Sequence, residues 1–174
     1  NGVWEFQRSA DLNEKPPFGK KLTENILVPF PIESALSGIM EQLDKFWYRR
    51  TFEIPSKWKG KKILIHFGAV DYEAEVFINE KKIGLHKGGY LPFSFDITDA
   101  VTNGKNELIV RVYDPTDKGG QPRGKQDSIQ KGIMYTPTSG IWQTVWLEPV
   151  SETHIEDIKI VPDIDKKEVE VTVL

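Results

Sequence analysis

The chain has 174 residues, with 23 Lys and Arg against 26 Asp and Glu, so it is long enough to bury one substantial core and lacks the broad positive field that nucleic acid or an anionic membrane surface would need. It has no cysteine, which excludes disulfide scaffolds, thiol nucleophiles and Cys-ligated zinc while leaving both cytoplasm and periplasm open. No apolar run approaches the roughly 20 residues of a membrane helix, and the opening Asn1-Gly2-Val3-Trp4-Glu5-Phe6 has neither part of a secretion signal, so it reads as the interior of a longer protein.

Short segments rich in Val, Ile, Phe, Tyr and Trp, separated by Gly, Pro, Asn and Asp, predict an all-β chain. Residues 46–54 alternate, with Phe46, Tyr48, Phe52 and Ile54 on one face, and stop at Pro55. Ser56 is read as a cap for a brief turn over 57–59, and 62–67, apolar on both faces, is read as a central strand. Residues 73–79 put Ala74, Val76 and Ile78 on one face and Glu75 and Phe77 on the other. The turn residues 79–82 and the resumption at Ile83 then predict a hairpin. Residues 93–97 alternate again, Thr98 is read as capping a turn, and 107–113 points Leu108, Val110 and Val112 inward.

The pattern then lapses for 26 residues, 114–139, a connection long enough to be functional or mobile. A strand over 143–148 closes the unit, with Val145 and Leu147 on one side and Trp146 on the other. Two further alternating runs, 154–161 and 168–174, flank a charged turn and end on an unpaired edge. That is a liability natural domains avoid, so 151–174 is read as the truncated start of a second domain.

The ordered motifs Trp47-Tyr48-Arg49-Arg50-Thr51-Phe52, Phe67-Gly68-Ala69-Val70-Asp71, Val76-Phe77-Ile78-Asn79, Gly84 to Phe93, Gly104 to Leu108 and Ser139-Gly140-Ile141-Trp142-Gln143-Thr144-Val145-Trp146-Leu147-Glu148 together resemble the sugar-binding domain that opens glycoside hydrolase family 2 enzymes, such as β-galactosidases and β-glucuronidases. The resemblance covers about residues 1–150. It implies a jelly-roll β-sandwich of the galactose-binding-domain-like kind, with residues 151–174 beginning an immunoglobulin-like sandwich. It also implies that the chemistry belongs to a later (β/α)₈ barrel, where an acid/base and a nucleophile about 5–5.5 Å apart act with retention. On this reading the parent protein is an O-glycosyl hydrolase, and residues 1–174 pack on the barrel and lend loops to its rim. The alternative is a stand-alone carbohydrate-binding module.

The family's acid/base glutamate follows an asparagine, yet Asn13-Glu14, Asn79-Glu80 and Asn106-Glu107 lie in turns or at a strand start among charged neighbours, without the apolar pocket a raised acid pKa needs. None is taken as catalytic. The run 119–126 spaces Gly119 and Gly124-Lys125 like a phosphate loop, but Gln126 stands where a Mg²⁺-binding hydroxyl belongs and no helix pattern follows. His66, His86 and His154 share no strand face, and Asp96, Asp99, Asp114 and Asp117 lack calcium-loop spacing, so no metal or cofactor is assigned.

The same loop concentrates donors and acceptors suited to sugar hydroxyls or a uronate: Asp114, Asp117, Gln121, Arg123, Lys125, Gln126, Tyr135 and Thr136. Two readings stay open, a rim contacting substrate and a loop that orders only against the barrel. In family members a Trp-Arg pair before Ser-Gly-Ile accompanies a substrate-reaching aspartate; here the run is Met134-Tyr135-Thr136-Pro137-Thr138, so that aspartate is not transferred and the sugar stays unassigned. Trp142 either stacks on a sugar or packs on the barrel. Trp4, Trp47, Trp58 and Trp146 are read as core or interface residues.

Overall fold

The computed structural model describes residues 1–174. Its strands are β1 (Gly2–Arg8), β2 (Glu24–Val28), β3 (Lys45–Glu53), β4 (Lys62–Phe67), β5 (Val70–Asp71), β6 (Glu73–Ile78), β7 (Lys81–Lys87), β8 (Phe93–Asp96), β9 (Lys105–Tyr113), β10 (Gly140–Ile141), β11 (Val145–Val150), β12 (Ile158–Asp163) and β13 (Glu168–Val173). Six of them form one sheet in the order β2-β1-β3-β9-β6-β7, opposed by the three-stranded sheet β11-β4-β8 and the short pair β10-β5. Every strand pairing is antiparallel. The result is a jelly-roll sandwich, the fold class expected from the alternating runs.

Alternation explains how each sheet finds its inner face. Phe46 and Tyr48 of β3, Ala74, Val76 and Ile78 of β6, and Leu108, Val110 and Val112 of β9 are buried, opposite Ile63, Ile65 and Phe67 of β4. The period of two sends these side chains to one side of each strand, and the two sets meet as a single core. The rings of Phe6, Phe46 and Tyr48 pack with centroids 5.5–5.7 Å apart, offset and edge-on as their quadrupoles favour.

Two local expectations differ from the structure. Strands β1 and β2 fill a segment where none was assigned, although Trp4 and Phe6 alternate inward and Ile26 and Val28 answer them. Phe77 shares the outer face of β6 with Glu75, as the alternation places it, and both are buried there; Phe77 joins Trp47, Ile109 and Leu22 in a second small cluster, covered by Phe18, so the outer face of the large sheet is partly roofed by the chain between β1 and β2. Ser56 and Thr98 lie inside their short 3₁₀ turns, Ser56–Trp58 and Thr98–Ala100, rather than capping them. The Thr98 hydroxyl instead accepts from the Ile63 amide at 2.9 Å, tying that turn to β4.

Strands β12 and β13 pair only with each other. Their register sets Ile158 opposite Val173, Ile160 opposite Val171 and Pro162 opposite Val169, which makes one face of the hairpin continuously apolar and leaves it exposed. No helix of the structure is long and apolar enough to cross a membrane.

Candidate functional site

The segment 114–139 leaves β9 and returns at β10 without forming a strand, and it is fixed at both ends. Asp114 Oδ2 accepts from the Ser139 hydroxyl at 2.7 Å and Asp114 Oδ1 from the Thr116 amide at 2.8 Å. Glu33, on the connection between β2 and β3, accepts from the Ser139 amide at 3.0 Å. Two residues on, the Ile141 amide donates to the fully buried Tyr48 hydroxyl at 3.2 Å. The two ends of the loop are thereby bonded to each other and to the centre of the large sheet.

Between those anchors the loop is organised around Gln126. Its amide nitrogen donates to Asp71 Oδ2 at 3.1 Å and to the Tyr90 hydroxyl at 3.3 Å, while its oxygen accepts from the Thr138 amide at 2.5 Å. The backbone about it forms a narrow arch, with the Tyr135 amide donating to Lys125 O at 2.8 Å and the Asp127 amide to Tyr135 O at 3.1 Å. Gly89 lies against Asp71 so closely that a Cβ there would stand 2.4 Å from a carboxylate oxygen; only glycine allows that approach. The Gly89 carbonyl in turn accepts from Trp142 Nε1 at 2.8 Å. Gln126, Tyr90, Tyr135 and Trp142 thus border one end of the sandwich.

A family profile described as "Glycosyl hydrolases family 2, sugar binding domain" matches residues 4–148. The chain belongs to this family. It is 39% identical over 119 residues to a β-galactosidase of Thermoanaerobacter pseudethanolicus, which covers 67% of this chain and 15% of that protein. It is 36% identical over 163 residues to a β-galactosidase of Thermoanaerobacterium thermosulfurigenes, covering 88% of this chain and 23% of that protein. Among solved structures, the β-glucuronidase of an uncultured Clostridium sp. superposes on the whole chain with a TM-score of 0.77 at 26% identity, and that of Lactobacillus rhamnosus on 99% of it with 0.76 at 28% identity. The chain spans 32% of each of those two structures.

In this family 2 sandwich seven of the nine candidate residues fall into three groups, with Lys125 over the Tyr135 ring and Thr136 exposed. Gln126, Tyr135 and Trp142 come together at the bordered end, where Tyr135 is exposed and carries the Lys125 ammonium 6.0 Å above its ring. Arg123 and Asp117 form a second cluster: the guanidinium lies 3.2 Å from Asp127 Oδ2 and 3.8 Å from Asp117 Oδ2, and Asp117 accepts from the Ser128 hydroxyl. Asp114 and Gln121 face inward, since Asp114 is buried and the Gln121 amide is committed to Thr116 O at 2.9 Å. Those two hold the loop rather than present it.

Two of the three Asn-Glu glutamates have structural partners, and the third lies in a turn. Glu14 accepts from the Ser9 hydroxyl and, at 3.4 Å, from Trp47 Nε1; Glu80 sits in the β6–β7 turn at φ 69°; Glu107 is held by Arg49 and by the Gly19 amide. No group of three or more His, Cys, Asp or Glu side chains is placed to hold a metal ion.

Three carboxyl groups behind the loop were not singled out together by sequence. Burial pushes Glu33 up to about 7, with the Asp114 charge adding to it, and Asp71 up to about 6 for the same two reasons; Asp114 is raised as well. Desolvation favours the neutral acid. Glu33 Oε1 is buried with no hydrogen-bond partner, which adds to the cost of ionising the group. A group raised on folding binds a proton that the unfolded chain has lost, so stability falls as pH climbs from the unfolded value of 4.5 toward 7 for Glu33, and from 3.8 toward 6 for Asp71. Thermal melts are expected to show the midpoint falling between about pH 4 and 7. Glu33→Gln should remove the Glu33 part of that fall, raising the midpoint at pH 8 by roughly 7–14 °C, since about 1.4 kcal/mol accompanies each of about 2.5 pH units and about 2–4 °C each kcal/mol. A variant that melts with the parent's pH slope would contradict the assignment.

Proposed function

We propose that this chain is the non-catalytic N-terminal domain of a retaining exo-β-glycosidase. Residues 1–150 form its sugar-binding sandwich and residues 151–174 begin an immunoglobulin-like domain. The catalytic carboxylates belong to a (β/α)₈ barrel in the same protein, and the loop 114–139 with Trp142 lies at the rim of the barrel's pocket. The observation that carries this reading is the Gln126-centred arch. It fixes a polar loop at one end of the sandwich and leaves Tyr90, Leu91, Ile129, Ile133 and Tyr135 exposed there.

Apolar side chains clustered on a polar, hydrogen-bonded loop suit a surface that is covered by a partner domain. The hydroxyl and amide groups among them suit contact with a sugar at the edge of that interface. The carboxyl groups of the sandwich do not make the acid and nucleophile of glycoside hydrolysis: Asp71, Asp114 and Glu33 are taken up by Gln126, Ser139 and Thr116, and burial holds them toward the neutral form.

The test is steady-state kinetics of the longer protein on aryl β-galactoside and β-glucuronide, with Trp142→Ala and Tyr135→Ala. Rim residues act through substrate binding and orientation, so kcat/KM should fall roughly tenfold, about 1.4 kcal/mol, with an unchanged melting midpoint. Unchanged kcat/KM in both variants would remove the loop from the rim. Sugar binding by the 174-residue chain alone that is lost with Trp142→Ala would instead favour the stand-alone carbohydrate-binding module.

A further inference from the structure

We propose that the loop 114–139 is a proton-operated latch, closed over the sandwich while Glu33 and Asp71 hold protons beside Asp114 and opening as they lose them. The three carboxyl groups come from the β2–β3 connection, from β5 and from the residue after β9. Together they bond both ends of the loop and its middle. Glu33 accepts from the Ser139 amide at 3.0 Å, Asp114 from the Ser139 hydroxyl at 2.7 Å and the Thr116 amide at 2.8 Å, and Asp71 from the Gln126 side chain at 3.1 Å. Glu33 and Asp71 each accept through a single oxygen, so each keeps its bond as a neutral acid.

Little else holds the loop shut. None of residues 116–136 is buried, so core packing does not fix the segment and its order falls to its hydrogen bonds. Apart from the Ser139 anchor, it is tied to the rest of the sandwich through Gln126, on Asp71 and Tyr90, and through the exposed Lys118 on Asp44. Thr116 closes the first turn at φ 53°, a left-handed conformation that a β-branched residue adopts only when its surroundings impose it. The bond from its amide to Asp114 belongs to the same cluster, and opening relieves the strain.

The cluster also lacks a counter-charge. None of the three carboxyl groups belongs to an ion pair. Of the groups that face them, the buried Tyr48 of β3 feels the Glu33 charge, Tyr90 shares Gln126 with Asp71, and Asp44 adds negative charge beside Asp114 while binding Lys118 at 3.0 Å. His86 of β7 is turned to Gly88 O at 3.1 Å. Burial next to Asp114 carries Glu33 from 4.5 up to about 7 and Asp71 from 3.8 up to about 6. Raised groups hold protons that solvent takes from them once the loop opens, so closure is strongest at low pH and is lost as pH rises through 6 to 7. Each of the two favours the open form by up to about tenfold per pH unit across its window. The latch rests on the anchors and not on what the loop borders, so its failure leaves the rim reading to its own kinetic test.

The test is hydrogen exchange of the 174-residue chain read by mass spectrometry from about pH 5 to 8, with and without low urea, each rate divided by the intrinsic amide rate at that pH. Peptides from 115–138 should open roughly tenfold or more readily at about pH 7 than at about pH 5. That gain should be insensitive to urea, because a local opening exposes little surface. Glu33→Gln and Asp71→Asn keep an acceptor oxygen and cannot ionise, so each should remove part of the rise and the double variant most of it. The proposal is overturned if corrected exchange in 115–138 does not change with pH, or if the double variant keeps the parent's slope. Exchange there that shares the urea dependence of β3 and β9 would also overturn it, since the loop would then open only with the whole sandwich.

Discussion

Gly140→Ala is expected to lower the melting midpoint on the order of 10 °C. Gly140 adopts φ +85°, and a Cβ built on it would stand 2.2 Å from the Tyr48 hydroxyl and 3.1 Å from a Phe46 ring carbon. Both neighbours are fully buried in β3 and have no space to yield. Two penalties combine: about 1–2 kcal/mol for an L-residue in the left-handed region, and about 1–3 kcal/mol for forcing side chains apart in a packed core. At about 2–4 °C per kcal/mol for a chain of this size the sum gives the stated shift. The damage should spread to the loop, because Ser139 and Ile141 on either side carry the bonds to Asp114, Glu33 and Tyr48. Gly104→Ala is the control, since a Cβ there meets nothing within 4 Å; it should melt within about 2 °C of the parent. Equal midpoints for the two variants would contradict the packing described at β10.

Gln126→Ala is expected to leave the global midpoint nearly unchanged and to loosen residues 115–138. The side chain makes three hydrogen bonds, to Asp71, Tyr90 and the Thr138 amide, each contributing about 0.5–1.5 kcal/mol net. Losing two to three kcal/mol of local stability converts to roughly 30–150-fold faster opening of that segment. Hydrogen exchange read by mass spectrometry should show the acceleration in peptides from 115–138 and not in β3 or β9. Asp71 also loses the one hydrogen bond that lowers its pKa, so its carboxyl should titrate higher still. Unchanged exchange in the variant would mean the arch is held by something other than Gln126.

The sandwich was largely legible in the sequence. Strand alternation is a local, period-two signal, and it located β3, β4, β6, β8, β9 and β11 as well as the face each turns inward. The two first strands were not assigned even though Trp4 and Phe6 carry the same alternation, because β2 lies fifteen residues beyond β1 across an irregular stretch rather than across a short turn. The excursion after β9 was visible as a loss of pattern. Its internal order was not, since Gln126 acts on Asp71 and Tyr90, 55 and 36 positions away, and Glu33 meets Ser139 across 106. Such contacts depend on how the two sheets stack, and no spacing rule encodes them. Trp146 shows the same limit from the other side: alternation sets it opposite Val145 and Leu147, and an indole there reads as covered until the outer face of the small sheet proves to be open, where Trp146 stacks on His66 and stays 44% exposed.

The proposed function gives the sandwich a positioning and bordering role and leaves the reaction to a barrel. Its most direct test is an assay of the purified 174-residue chain on aryl β-galactoside and aryl β-glucuronide across pH 4–8. No release of phenol above the buffer rate is predicted, because the buried Glu33, Asp71 and Asp114 carboxyl groups are bonded to the loop they hold, whereas retaining hydrolysis needs an acid and a nucleophile free to flank a sugar about 5–5.5 Å apart. Saturable release that disappears when Glu33, Asp71 or Asp114 is replaced by its amide would contradict the account and place catalysis within the sandwich itself.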